Sequence, residues 1–365
     1  MQNQEPLKQI VLKLSLGSAL VLATFAQSTV WADGARTASG KPDLSGTYNI
    51  ATLTPLQRPE KYGDKASITE AEAKEIADYW ANNLAKDSKK SDPNRAAPPE
   101  GGVEVYIPEF ESASGGVGGY NAFYVDIGES SFNLDGKFRT SIITQPLNGR
   151  MPKLSPDGME RFMASRADDH ENTGTAWWIN RENGPYDHPE SRPLAERCIL
   201  GFGSTSGPPA LPVMYNNLKR IVQTDDSVII YNEMNHDARI VRLDAQHGSA
   251  NTRTWLGDSV GHWDGDTLVV DTINFKDEPG LFMATKDLHV VERFTRVDEN
   301  TLRYAFTVND PTWSEAWGGE YPWPITEDKV FEYACHEGNY ALGGILRGAR
   351  VLEEDALAKS DDSAE

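Results

Sequence analysis

The sequence predicts a mainly β protein: an antiparallel up-and-down meander closing into a lipocalin-like (calycin) barrel, with short N-terminal helices. Three observations predict it. From Lys219 onward, strand-like runs fall at 219–223, 227–234, 237–243, 252–263, 267–274, 288–296, 301–309 and 329–337. Short polar turns separate them: Asp298-Glu299-Asn300, and Asp264-Gly265 read as the two positive-φ residues of a tight hairpin. A meander this long can close, and closure removes the exposed strand edge. A two-sheet sandwich ranks second. A propeller ranks third, because no blade-length repeat is present.

Taken in order, the chain of 365 residues opens on an export signal. Lys8 and Lys13 precede an apolar stretch from Leu14 to Phe25, and Val30-Trp31-Ala32 forms a small-x-small cleavage site. An uncleaved membrane anchor is the alternative, ranked second because the stretch is too short to span a bilayer comfortably, which takes about 20 residues. The expected organisation is a signal at 1–32, an N-terminal segment with one helix and a linker at 33–100, a β domain at 101–350 and a disordered acidic tail at 351–365. Asp43 to Tyr48 reads as a first short strand. Ser67 with Glu70 forms a capping box, and Ile76, Tyr79, Trp80 and Leu84 make the apolar stripe of the helix that follows. Gly115 to Gly119 lacks the Lys-Ser/Thr ending of a phosphate loop, so it reads as a connection. Phe138 to Ile143 reads as a strand, and Pro156 sits at the first position of a short helix. Residues 170–215, rich in Gly, Pro, Asn and Trp, form an irregular lid within the β domain.

The net charge is −20, and loss of the signal would remove Lys8, Lys13 and Glu5 and leave the chain still more acidic. Nucleic acid and anionic membranes both need a basic footprint, so neither is an expected partner. The two cysteines, Cys198 and Cys335, are most simply one disulfide in an oxidising compartment. Two buried thiols, or a reactive Cys335 beside His336, are the alternatives.

Several motifs occur together: Glu196-Arg-Cys-Ile-Leu-Gly201, Met234-Asn-His-Asp-Ala-Arg-Ile240, Gly257-Asp-Ser-Val-Gly-His-Trp263 with Gly265-Asp-Thr-Leu-Val-Val270, Leu288-His-Val-Val-Glu-Arg-Phe294 and Tyr333-Ala-Cys-His-Glu-Gly-Asn-Tyr340. The chain thereby resembles an uncharacterised family of exported bacterial proteins, most closely from Glu196 to Arg350. The resemblance implies an exported, stand-alone protein and no particular activity.

Alternating strand direction would gather Glu233, His236 and Asp237, then His262, Trp263 and Asp264, then Cys335, His336 and Glu337 at one rim. His289 would fall at the other end. Imidazole and carboxylate within reach of each other could do acid–base work near neutral pH. His236, His262 and His336 with Glu233, Asp237 and Glu337 are therefore the candidate catalytic groups, and Trp263, Tyr333, Trp255 and Tyr215 the candidate ligand contacts. Glu292 reads alternatively as a buried partner for Arg303 or Arg239. No H-x-H, H-E-x-x-H or C-x-x-C spacing is present, so no metal and no cofactor is expected. A calcium site from Asp258, Asp264 and Asp266 ranks below the simpler role of satisfying backbone donors in turns. Three functions follow: a carrier of an apolar or amphipathic small molecule, a cofactor-independent hydrolase, lyase or isomerase, and an envelope structural protein. The carrier ranks first.

Overall fold

A computed structural model describes residues 35–87, 94, 125–166, 174–205 and 207–362. The expected export signal, most of the linker and the glycine cluster at 115–119 lie outside these residues. Four α-helices are described: α1 (Glu70–Asp87), α2 (Pro156–Ser165), α3 (Cys335–Gly338) and α4 (Tyr340–Asp362). None of the described helices is long and apolar enough to cross a membrane.

The strands are short at first: β1 (Gly46–Asn49), β2 (Ser67–Ile68), β3 (Asn133–Leu134), β4 (Lys137–Arg139) and β5 (Ile143–Gln145). Eight longer ones follow: β6 (Leu218–Gln223), β7 (Ser227–Asn232), β8 (Ala238–Leu243), β9 (Asp258–Asp264), β10 (Thr267–Ile273), β11 (His289–Asp298), β12 (Thr301–Asn309) and β13 (Trp317–Pro324). Ten of them form one curled, half-barrel sheet in the order β1-β6-β7-β8-β9-β10-β11-β12-β13-β5, and β2-β4-β3 form a small second sheet. A bridge from Tyr48 to Ile325, just past β13, brings the β1 edge back against the far side of the sheet.

Side-chain alternation produces the interior. In β12, Leu302, Tyr304, Phe306 and Val308 point inward and are buried, as their spacing predicts. Burying each such apolar side chain contributes roughly 1.5–3 kcal/mol. Trp317, Tyr321 and Trp323 of β13 complete an aromatic wall. That strand went unread because Gly318, Gly319, Pro322 and Pro324 are poor strand formers. The glycines answer a packing need: a Cβ on Gly318 would meet the Phe306 carbonyl oxygen at 2.3 Å, and one on Gly319 that of Ile142 at 2.4 Å.

The structure corrects five expectations. Thr69, not Ser67, caps α1: its Oγ1 accepts from Glu72 N–H at 3.2 Å, and its own N–H donates to Glu72 Oε2 at 2.7 Å. The β9–β10 hairpin turns on Gly265 and Asp266, with Asp264 paired to Thr267 and only Gly265 at positive φ. Residues 351–362 continue α4 and are not a disordered tail. The segment expected as a last strand at 329–337 holds α3 and irregular chain. Finally, β8 and β9 are parallel, with Val241 opposite Ser259. The expected strand at 252–263 begins only at Asp258, which leaves residues 244–257 as a connection. A dozen residues or so is the length a parallel crossover requires, whereas a hairpin needs two.

The parallel pair reverses every strand after it. With β7 running to the upper end of the sheet, β8, β9, β11 and β13 all run downward. His289 therefore lies at the upper end with the β7–β8 turn. His262, four residues into β9, lies about 13 Å below it at a strand rise of ~3.3 Å per residue.

Candidate functional site

The lid expected at 170–215 divides into two parts. Its first part packs on α4: Trp178 and Ala176 pack with Ala349, and the Trp178 indole donates to Glu353 at 2.6 Å. The disulfide between Cys198 and Cys335 ties the lid to α3. The second part enters the concave side of the sheet. Ala210 is held there by two tyrosines: its N–H donates to the Tyr304 hydroxyl at 2.8 Å, and its carbonyl accepts from the Tyr321 hydroxyl at 2.8 Å.

Between this lid and the upper end of the sheet lies a cavity of about 510 Å³. Leu53, Pro55 and Leu56 supply one wall, Leu211, Val213 and Met214 the opposite one. Trp317, Ile142, Leu281 and Trp80 also line it, it stays partly open to solvent, and Phe282, two-thirds exposed, belongs to its lining. The hydroxyls in the wall are engaged with the chain itself. Thr52 donates to Ser130 O, Thr54 accepts from Phe132 N–H, and Ser204 donates to Pro209 O. The surface left for a ligand is mostly apolar.

Charged groups are buried on the inner face of the sheet, none of them in the cavity wall. Arg239 and Glu292 form a doubly hydrogen-bonded pair with almost no exposure, Arg239 Nη2 reaching Glu292 Oε1 at 2.8 Å. Tyr304 donates to the same oxygen at 2.8 Å, and burial, with Glu292 beside it, holds its phenol well above the ordinary range. Glu292 thus pairs with Arg239, while Arg303 turns outward to Asp135. Lys219 is also fully buried, and its Nζ donates to Thr205 O at 2.7 Å. Burial lowers its amine to about 7, against the opposing pull of Glu233 and Asp237 and with the help of Arg239. Sequence reading missed Lys219, although its spacing from Ile221 puts both on one face of β6.

The predicted histidines are not gathered at one mouth. His236 is exposed and lines a polar groove of about 790 Å³ with Arg220, Tyr231 and Phe331. Its backbone and that of Asn235 are left-handed, at φ 52° and 59°. His262 is exposed on the outer face of β9, and His336 and Glu337 are exposed on α3. The physical reason is the parallel crossover, which inverts β9, together with the helical fold of 335–338. Glu233 is buried and accepts from Phe331 N–H at 3.1 Å, Asp237 is half-buried, and the charges of both act on the Lys219 amine. The four predicted ligand contacts lie outside the apolar wall described above. Trp263 packs against the core lower down with Lys41 across its ring at 5.8 Å, and Trp255 stacks under Lys276 at 4.7 Å. Tyr333 lines a smaller hollow beside the disulfide, and burial raises its phenol and that of Tyr215.

A second polar cluster, on the outer face, also escaped the sequence reading. His247, in the crossover, places Nδ1 3.2 Å from Asp258 and Nε2 3.0 Å from Asp271, and His289 Nε2 lies 2.9 Å from the other oxygen of Asp271. For Asp258, burial acts to raise the carboxyl, but hydrogen bonds from Gly248, Arg242 and His247 outweigh it and hold it low. Asp264 and Asp266 pair separately with Arg293 and Arg36, so the three aspartates named for calcium do not converge. Among the described residues no group of three His, Cys, Asp or Glu side chains is placed to hold a metal ion. Comparison of the chain with protein-family models, with curated proteins and with solved structures finds no match.

Proposed function

We propose that this protein is an exported carrier that binds one apolar or amphipathic small molecule in the lid-covered cavity. The observation that carries this reading is the cavity wall: leucine, isoleucine, valine, proline and tryptophan around about 510 Å³, with its hydroxyls already engaged. That volume and that chemistry are those of small-molecule sites, where apolar lining supplies affinity. The signal pattern at 1–32 and the single disulfide support export. The acidic surface favours a neutral ligand over an anionic one.

The test is titration with a neutral apolar fluorophore, N-phenyl-1-naphthylamine. Saturable one-site binding is expected, with energy transfer from Trp80 and Trp317 in the wall. Leu53→Trp, which fills the cavity from its partly exposed side, should weaken binding by about tenfold, or ~1.4 kcal/mol, with an unchanged circular dichroism spectrum. Absence of saturable binding, or full affinity in a folded Leu53→Trp protein, would remove the carrier reading.

A further inference from the structure

The disulfide that ties the lid to α3 stands in a hollow of its own. Cys198 and Cys335 both line it, with Phe202, Tyr333, Leu342 and Ile345, around about 350 Å³. Among the described residues, none lines both this hollow and the larger apolar cavity. The two sulfur-bearing residues are not equivalent. Cys198 is buried and Cys335 half-buried, so Cys335 is the more open to attack. Cys198 is also held left-handed at φ 58°, a strained backbone for such a side chain. Asn339 sets the chemistry at the buried sulfur. Its Oδ1 accepts from Leu342 N–H at 3.2 Å at the start of α4, which fixes the amide and turns Nδ2 toward the lid. Nδ2 donates to Glu196 O at 2.7 Å and to Cys198 Sγ at 3.5 Å. A donor aimed at sulfur favours its anion, and a stabilised thiolate is the better leaving group. The Glu196 carboxylate would oppose a second anion here, but Arg192 holds it at 2.8 and 3.0 Å.

We propose that this disulfide is an exchange site for small apolar thiols, which bind in the hollow and join Cys335 while Cys198 departs. The thiol first loses its proton to solvent. Its sulfur then forms a bond to Cys335 Sγ, the bond between Cys335 and Cys198 breaks, and the electron pair passes to Cys198 Sγ. There the Asn339 amide stabilises it. One disulfide is consumed and one is made, so the thiol is the only co-reactant. Attack of the Cys198 thiolate on the mixed disulfide reverses the step and releases the thiol. While the thiol is held, the covalent tie between lid and α3 is open. The walls of Phe202, Leu342 and Ile345 select an apolar thiol, and the net charge of −20 disfavours an anionic one. The site shares nothing with the carrier reading, and neither depends on the other.

The experiment incubates the whole folded protein with benzyl mercaptan at about pH 8, where small thiols are partly ionised. Iodoacetamide then traps any free thiol, and peptide mass mapping locates both labels. The benzylthio group is expected on Cys335 and the carbamidomethyl group on Cys198, at a rate that saturates as the thiol is raised. Glutathione, polar and anionic, should react about tenfold more slowly. Asn339→Ser keeps an oxygen to cap α4 but loses the donor to sulfur. Exchange in that variant should slow about fivefold, with an unchanged circular dichroism spectrum. Adducts on Cys198 instead, or exchange that needs denaturant, overturn the proposal. A rate that stays proportional to benzyl mercaptan and is matched by glutathione removes the hollow as the thiol's seat, and with it the proposal. Wild-type speed in folded Asn339→Ser protein removes Asn339 from the step. The position of the adduct and the saturation are read on the wild type, so they decide the matter even if the variant does not fold.

Discussion

Two polar clusters occupy opposite faces of one sheet, and they are built alike at the level of hydrogen-bond distance. On the inner face Arg239 and Glu292 meet with side-chain exposures of 2% and 0%. On the outer face Asp258, His247, Asp271 and His289 form a chain with exposures of 22–40%. The comparison separates geometry from energy. Water screens the outer chain, so each link contributes little beyond fixing where the crossover lies. Nothing screens the inner pair, whose net contribution is modest because both ions lost their hydration, yet whose rupture leaves a naked charge in the core.

Removing one partner of the inner pair is the strongest way to break this contrast. Glu292→Ala should lower stability by about 3–5 kcal/mol, measured by urea unfolding. A loss no larger than that of a surface pair would mean that water reaches Arg239. A pH series on Lys219→Met comes next. Below about 7 the amine is charged in both folded and unfolded chains, and the full penalty of burial weighs on the folded one. As pH rises from about 7 toward 10.5, the unfolded chain still binds a proton that the folded chain has released, so the wild type gains stability. The methionine variant should therefore show its greatest relative stability near pH 6 and lose that advantage steadily toward pH 10, by a few kcal/mol in all. Parallel melting curves across that range would place Lys219 in water. The smallest effect belongs to the outer face: His247→Ala should cost under about 1 kcal/mol. Hydrogen exchange should nevertheless rise in the crossover at 244–257, since His247 anchors it to Asp258 and Asp271. A loss as large as that of Glu292→Ala would erase the distinction between the faces.

Much of the sheet was legible because a half-buried strand writes its burial into every second residue. Leu302, Tyr304, Phe306 and Val308 could be assigned to one face from spacing alone, and Pro156 marked the start of α2. The pairing of Cys198 with Cys335 followed from there being two cysteines. The candidate site was far less legible. Glu233 and Asp237 were named, but for their nearness to His236; their nearness to Lys219 depends on the side-by-side pairing of β6 and β7, in which Lys219 faces Asn232. The cavity wall draws on Leu53, Trp80, Ile142, Leu211, Leu281 and Trp317, from segments with no common periodicity.

By itself the sequence determined the mainly β class of the fold and the buried face of strands such as β12, since each is a local pattern read against solvent. Only the tertiary structure decided strand polarity and which face of which element meets the cavity. The reason is that direction depends on where a connection docks. The 244–257 segment has the length of a parallel crossover; it runs along the outer face, where His247 lies between Asp258 and Asp271, and β9 lies parallel to β8.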